Sequence, residues 1–106
     1  MIKLSDFIMK RLSAVHGVTD VFMISGGGAM HLIDSAGKQP GISYFCPHHE
    51  QAAAMAAEGY ARVSGKLGVV VITSGPGGTN TLTGVIQQWL DSIPCLYISG
   101  QVKEET

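Results

Sequence analysis

Several things are missing from this sequence of 106 residues, and each absence narrows what it can be. No excess of one charge is present: the formal net charge is −1. That leaves no basic field for nucleic acid or for an anionic membrane surface. No apolar run reaches the ~20 residues that a membrane-spanning helix needs. The start, Met1-Ile-Lys-Leu-Ser-Asp6, is charged by residue 6 and has no signal-peptide core, so the chain reads as cytoplasmic. Cysteine is scarce. Cys46 and Cys95 fall in separate predicted strands, and in that compartment they are expected as buried, reduced thiols without a disulfide. Internal repeats, linkers and low-complexity tracts are also absent. The length suits one small domain over residues 1–106.

Glycine is abundant: 14 residues, in clusters. The clusters punctuate a regular alternation of elements. Leu4, Ile8, Leu12 and Val15 recur at helical spacing, with Gly17 as a stop and Ser5 or Asp6 as candidate caps. Val21–Ile24 reads as a buried strand that enters the turn Ser25–Gly28. A short helix is expected from Ala29 to Ala36, then a loop over Lys38–Gly41 and a strand over Ile42–Cys46, closed by Pro47. The alanine-rich stretch from about His48 to Ser64 predicts the clearest helix, stopped by Gly65, with Glu58 and Arg62 paired on its wet face. The β-branched run Leu67–Thr73 predicts a strand covered on both faces. After the turn Ser74–Gly78, a helix from Thr79 to about Asp91 carries Leu82, Val85, Ile86 and Trp89 on one stripe. Cys95–Ser99 is a fourth strand, and residues 101–106 are a polar tail. Alternation of this kind predicts an α/β fold: a parallel sheet with flanking helices and right-handed crossovers. It stops after a strand, where another helix is expected, so the domain is read as incomplete.

Both glycine turns follow strands, and ligands of open parallel sheets bind beyond the C-terminal strand ends. Phosphate binding is the generic reading of such turns. Neither turn matches GxxxxGK[ST] or GxGxxG, and neither contains Lys or Arg. Sharp turns and close helix packing explain the glycines equally well. His48 and His49 are neighbours that do not share a helix face and chelate poorly, so no metal site is expected. Glu50 lies in the first helical turn, where the helix dipole favours an acid for purely structural reasons. It also heads a stripe formed by Ala53, Ala54, Ala57 and Ala61. Such a face lets another helix come close. A carboxylate at its edge would be desolvated and its pKa raised, which marks a candidate functional group.

Taken in order, the segments resemble a family. The run His49-Glu-Gln-Ala-Ala-Ala-Met-Ala-Ala-Glu-Gly-Tyr-Ala-Arg62, then Thr73-Ser-Gly-Pro-Gly-Gly-Thr-Asn80, Asp91-Ser-Ile-Pro94 and Ser99-Gly-Gln-Val102, is similar to the pyrimidine-binding domain of acetolactate synthase-like, thiamine-diphosphate-dependent enzymes. The resemblance covers nearly the whole chain. It implies the N-terminal portion of a thiamine-diphosphate pyrimidine-binding domain, within a lyase or carboligase that acts on a 2-keto acid. It implies that Glu50 is the catalytic carboxyl, hydrogen-bonded to the ring nitrogen N1′ of the cofactor's aminopyrimidine and activating it. Ser25, Gly26, Gly27, Thr73, Pro76 and Asn80 would shape the pyrimidine pocket beside Glu50. The diphosphate and its Mg²⁺ would go to a domain outside this chain, in a homo-oligomer (dimer or tetramer) or a separate diphosphate-binding subunit. The isolated chain would be inactive. Ser25 stands where the family pattern G-x-P-G-G has proline, which loosens the backbone there. The ending Gly100–Thr106 resembles acetolactate-synthase-like proteins of polysaccharide clusters. Two other readings compete: a non-catalytic interaction or regulatory remnant of this fold, and a small nucleotide-binding α/β module. Neither needs a carboxylate at position 50.

Overall fold

The strand β3 (Gly68–Ile72) is buried along its whole length, and its side chains divide the molecule in two. Val69 and Val71 pack into one cluster with Met9, Leu12, Val18, Val21, Met23, Ala36 and Ile42. Val70 and Ile72 pack into the other with Ala53 and Ala57, flanked by Phe22, Cys95 and Tyr97. Alternate side chains of a strand point to opposite faces, so a run of valines suits a strand with no wet side. In the computed structural model, which describes residues 1–104, β1 (Asp20–Met23), β2 (Ser43–Phe45), β3 and β4 (Cys95–Ser99) form one sheet of order β2-β1-β3-β4. Every pairing is parallel: Phe22 sits opposite Phe45 on one side and Val70 on the other, and Val70 opposite Tyr97. The α/β parallel sheet expected from the alternation is what forms. Of the expected polar tail, Glu105 and Thr106 lie outside the described residues.

The helices α1 (Leu4–Ala14) and α2 (Met30–Lys38) cover the first cluster. The helix α3 (Glu50–Ser64) covers the second, and α5 (Leu82–Asp91) packs on α3. The chain moves from β1 to β2 in one direction, then back past β1 to β3 and on to β4. Crossovers of a single hand place helices on opposite faces when the direction of travel reverses, and α2 and α3 lie on opposite faces. A one-turn 3₁₀ segment (Gly27–Ala29) precedes α2.

Several local expectations are corrected. In α1 the buried residues are Ser5, Met9 and Leu12, while Leu4 and Val15 are exposed. The cause is polar. The Ser35 hydroxyl of α2 donates to the Asp6 carboxylate at 2.6 Å and lies 2.8 Å from the Ser5 hydroxyl. These contacts set the phase of α1 and engage both candidate caps, so the N-cap position falls to Lys3, without a side-chain cap. Cys46 is exposed just past the edge strand β2, whose own residues are exposed too; Cys95 is partly buried, and both thiols are free.

The helix α3 begins at Glu50 rather than His48, because the His49 ring caps it: Nδ1 accepts from the Gln51 N–H at 3.0 Å. At its end Gly65 adopts φ 71°, the left-handed conformation that lets a helix close. Arg62 pairs with Glu58 as expected and also reaches Asp91 of α5, tying the two helix ends together.

The predicted helix from Thr79 is divided. A single turn, α4 (Pro76–Thr79), precedes α5. At the junction the buried Thr81 donates its hydroxyl to the Gly78 carbonyl at 2.6 Å. The phase of α5 also differs from expectation. Gly84 and Gln88 face inward, while Leu82, Ile86 and Trp89 are exposed, Trp89 at 84%. A Cβ on Gly84 would stand 2.6 Å from Ala54 Cβ, so the two helices touch there as closely as backbones can. Gln88 Nε2 donates to the Ala54 carbonyl at 2.9 Å, and Gln88 Oε1 accepts from the Tyr97 hydroxyl at 2.6 Å. Burial pushes the Tyr97 phenol up to about 12. A buried amide with its partners supplied is compatible with a core position.

One glycine of α3 is different from Gly84. Gly59 is exposed, and a Cβ there would meet nothing within 4 Å. Glycine inside a helix costs about 0.5–1 kcal/mol relative to alanine, because more backbone freedom is lost on folding. Gly59→Ala is therefore expected to raise stability by about that amount in this chain. Urea denaturation followed by circular dichroism measures it; an unchanged or lower midpoint would mean that the site is not open.

Candidate functional site

Because all four strands are parallel, the segments that follow them emerge at one edge of the sheet. The order β2-β1-β3-β4 puts the reversal of direction between β1 and β3. Connections leave that point toward opposite faces and open a crevice, the usual ligand position in such sheets. The two glycine turns predicted from sequence are the segments that leave β1 and β3.

Thr73 bolts these turns together. The Gly28 N–H donates to its hydroxyl at 3.2 Å. A Cβ on Gly26 would stand 2.5 Å from Thr73 Cβ, and one on Gly77 would stand 2.7 Å from Thr73 Cγ2. The glycines at 26 and 77 are thus the room in which the Thr73 side chain fits. Gly100, just past β4, joins the same packing: a Cβ there would collide with the Gly28 carbonyl. Sequence reading gave Gly100 no role, although its place immediately after a strand is where a close backbone approach is common. Ser25 and Gly27 are exposed on the first turn, and Pro76 is exposed at the first position of α4. A shallow recess on the α2 side of the first turn is bordered by Ser25, Gly26, Gly27, Met30, Ile33 and Asp34. Glu50 is not among its walls.

Glu50 enters from the end of β2. Pro47 and the His49 cap bring the chain from β2 into α3, and Glu50 is the first helical residue, half-buried. Its Oε1 accepts from Asn80 Nδ2 at 3.0 Å. Asn80 closes the short turn α4, so the contact joins the segments after β2 and β3, two strands separated by β1. Of the expected site residues, the structure brings together Glu50 with Asn80, and Thr73 with Gly26.

The expected direction of the Glu50 shift is corrected. The bond from Asn80 holds its carboxyl below the usual range; partial burial works the other way, and its own backbone N–H and His49 add to the lowering. The physical reason is where the alanine stripe points. Ala53 and Ala57 are buried against Val70 and Ile72 of β3, and Ala54 against Gly84 of α5. The close helix approach expected from the stripe occurs, but inside the domain, and Glu50 remains at the open end.

Neither turn holds a cation, and among the described residues no group of three or more His, Cys, Asp and Glu is placed to hold a metal. Among them too, no helix is long and apolar enough to cross a membrane.

The family described as "Thiamine pyrophosphate enzyme, N-terminal TPP binding domain" matches residues 2–106. The chain is 45% identical over 98 residues to the acetolactate synthase large subunit of Lactococcus lactis subsp. lactis (strain IL1403), covering 92% of this chain and 17% of that protein. It is 45% identical over 86 residues to the acetolactate synthase isozyme 3 large subunit of Escherichia coli (strain K12), covering 81% and 15%. It is 44% identical over 98 residues to the chloroplastic acetolactate synthase 2 of Nicotiana tabacum, covering 92% and 15%. The chain thus spans less than a fifth of the length of these relatives.

Proposed function

Because the chain belongs to the family of N-terminal thiamine-pyrophosphate-binding domains of thiamine pyrophosphate enzymes, we propose that residues 1–106 are the N-terminal portion of a pyrimidine-binding domain in an acetolactate-synthase-like enzyme that acts on a 2-keto acid. One observation carries this reading. A half-buried carboxylate, Glu50, stands where the chain leaves β2, held by Asn80 at the end of the glycine turn that follows β3, and that turn contains no Lys or Arg.

That donor set fits one end of thiamine diphosphate, the cofactor also called thiamine pyrophosphate. A carboxylate can share a proton with a ring nitrogen, and bare glycine backbone lets a flat ring lie close. Ser25, Gly26, Gly27, Thr73, Pro76 and Asn80 would border the aminopyrimidine beside Glu50. The set does not fit the diphosphate end, because helix-dipole attraction alone is worth only about 0.3–1 kcal/mol at an exposed site. The diphosphate and Mg²⁺ are therefore assigned to a domain outside this chain. When bound, thiamine diphosphate supplies the electron sink for cleavage next to a keto group.

The protein's own contribution is a proton held at a stated place. Glu50 is the catalytic residue, exchanging a proton with the pyrimidine ring nitrogen. Thr73 keeps the two turns at a fixed spacing by accepting from the Gly28 N–H and filling the space left at Gly26 and Gly77. The outward apolar face of α5, with Leu82, Ile86, Trp89 and Leu90, is the kind of patch that marks a contact surface, and it supports an oligomer or a separate diphosphate-binding subunit.

The test uses a polypeptide that carries these residues together with the remaining domains. Pyruvate and larger 2-keto acids are supplied with and without thiamine diphosphate and Mg²⁺, and CO₂ release is followed. Release that requires the cofactor is expected. No cofactor-dependent turnover of any 2-keto acid, in a preparation that binds the cofactor, would leave the remnant reading in its place.

A further inference from the structure

Asn80 and Glu50 are 30 residues apart, on segments that follow non-adjacent strands, yet their side chains meet at 3.0 Å. A glutamate on the first turn of a helix has three rotatable side-chain bonds and would otherwise sample many positions. Asn80 itself is well fixed. Its backbone N–H donates to the Pro76 carbonyl at 2.9 Å, and the next residue, Thr81, is buried and bonded to Gly78 through both its N–H and its hydroxyl. The amide therefore projects from a rigid corner.

We propose that Asn80 is the positioning residue for Glu50, holding Oε1 so that proton exchange falls to Oε2. This rests on the proton-sharing role given to Glu50 above and adds how that role is set. The residue type suits the task. An amide N–H is a donor that neither ionises nor takes up a proton at ordinary pH, so it orients a carboxylate without competing for the proton. It also favours the charged form, in line with the lowered proton affinity of Glu50. The carboxylate is thereby kept proton-free until a proton partner arrives. The other contributors near Glu50 are its own backbone N–H and the His49 ring beside it, which point in the same direction.

The experiment reads Glu50 directly, in the chain of 106 residues, by carbon NMR titration of its side-chain carboxyl. Its midpoint is expected below that of an ordinary glutamate, and the Asn80 side-chain amide resonances are expected to move with the same midpoint. Asn80→Ala should shift the Glu50 midpoint upward. Asn80→Asp should shift it further, because a like charge then replaces a donor. A Glu50 midpoint unchanged in Asn80→Ala would overturn the proposal. So would Asn80 amide resonances in the unsubstituted chain that ignore the Glu50 titration, a reading that holds even if a variant does not fold. No readout here involves cofactor or turnover. If the chain titrates as expected but the polypeptide with the remaining domains shows no cofactor-dependent 2-keto acid turnover, the proposed function is lost and this inference kept; cofactor-dependent turnover with a titration indifferent to Asn80 would do the reverse.

Discussion

Replacing Glu50 by glutamine, in a polypeptide that includes the remaining domains, is expected to preserve the fold and to lower 2-keto acid turnover by about 10²–10⁴-fold, the usual contribution of a positioned proton-transfer group. Glutamine has nearly the same shape, and its carbonyl oxygen can still accept from Asn80 Nδ2, as Glu50 Oε1 does at 3.0 Å. The helix start survives as well, because the cap is the His49 ring and not the Glu50 side chain. What is lost is the ability to give up and take back a proton. The variant thus separates chemistry from architecture. Two measurements check it: 2-keto acid turnover, and exchange of the cofactor's thiazolium proton with solvent. Near-normal proton exchange in Glu50→Gln would show that the activating group lies elsewhere, whatever happens to turnover.

The second large effect is on stability. Gly84→Leu is expected to destabilise the chain by about 1–3 kcal/mol, the range for forcing extra carbons into a packed core. The whole side chain would have to enter a contact where a single Cβ already falls 2.6 Å from Ala54 Cβ and 3.4 Å from the Ala54 carbonyl carbon. Neither neighbour is the end of a flexible side chain, so α5 must move away from α3. That movement would stretch the bonds from Gln88 to Ala54 and from Tyr97 to Gln88. It would also carry Asn80, which leads into α5, away from Glu50. The expected result is a lower urea midpoint with the Glu50 titration shifted upward in the same variant. A midpoint equal to that of the unsubstituted chain would mean that α5 is not seated on α3 through Gly84. Gly59→Ala, on the open face of α3, is the internal control, because it adds a methyl group with nothing to meet.

The two glycines show why some features were legible in the sequence and others were not. Both lie in helices, and composition treats them alike. One faces Ala54 and the other faces open space. The same holds for the alanine stripe. Its spacing marks one helix face, and Ala53, Ala54, Ala57 and Ala61 are all buried. Its effect on Glu50 was not legible, because that depends on which end of α3 the sheet and α5 cover. Glu50 became a candidate through its place at the head of that stripe and through the family resemblance; that Asn80 would reach it could not be read from spacing.

The sequence by itself determined the elements and the edge at which the glycine turns and Glu50 lie. Alternating strands and helices, a β-branched run at 67–73 and glycine turns after two strands are local signals, and parallel strands follow from the helices that cross between them. The tertiary structure alone decided the rotation of α1 and α5 and the proton affinity of Glu50. Periodicity assumes that the apolar side of a helix is the buried one. In α5 the inward side is set instead by a glycine that admits Ala54 and by Gln88, whose partners lie 34 and 9 residues away in the chain. A polar group can be buried when its hydrogen bonds are supplied, and only the folded chain brings the supplier. For Glu50, burial raises the proton affinity, and it is outweighed first by the Asn80 amide arriving from the other side of β1, with its own backbone N–H and His49 acting in the same direction.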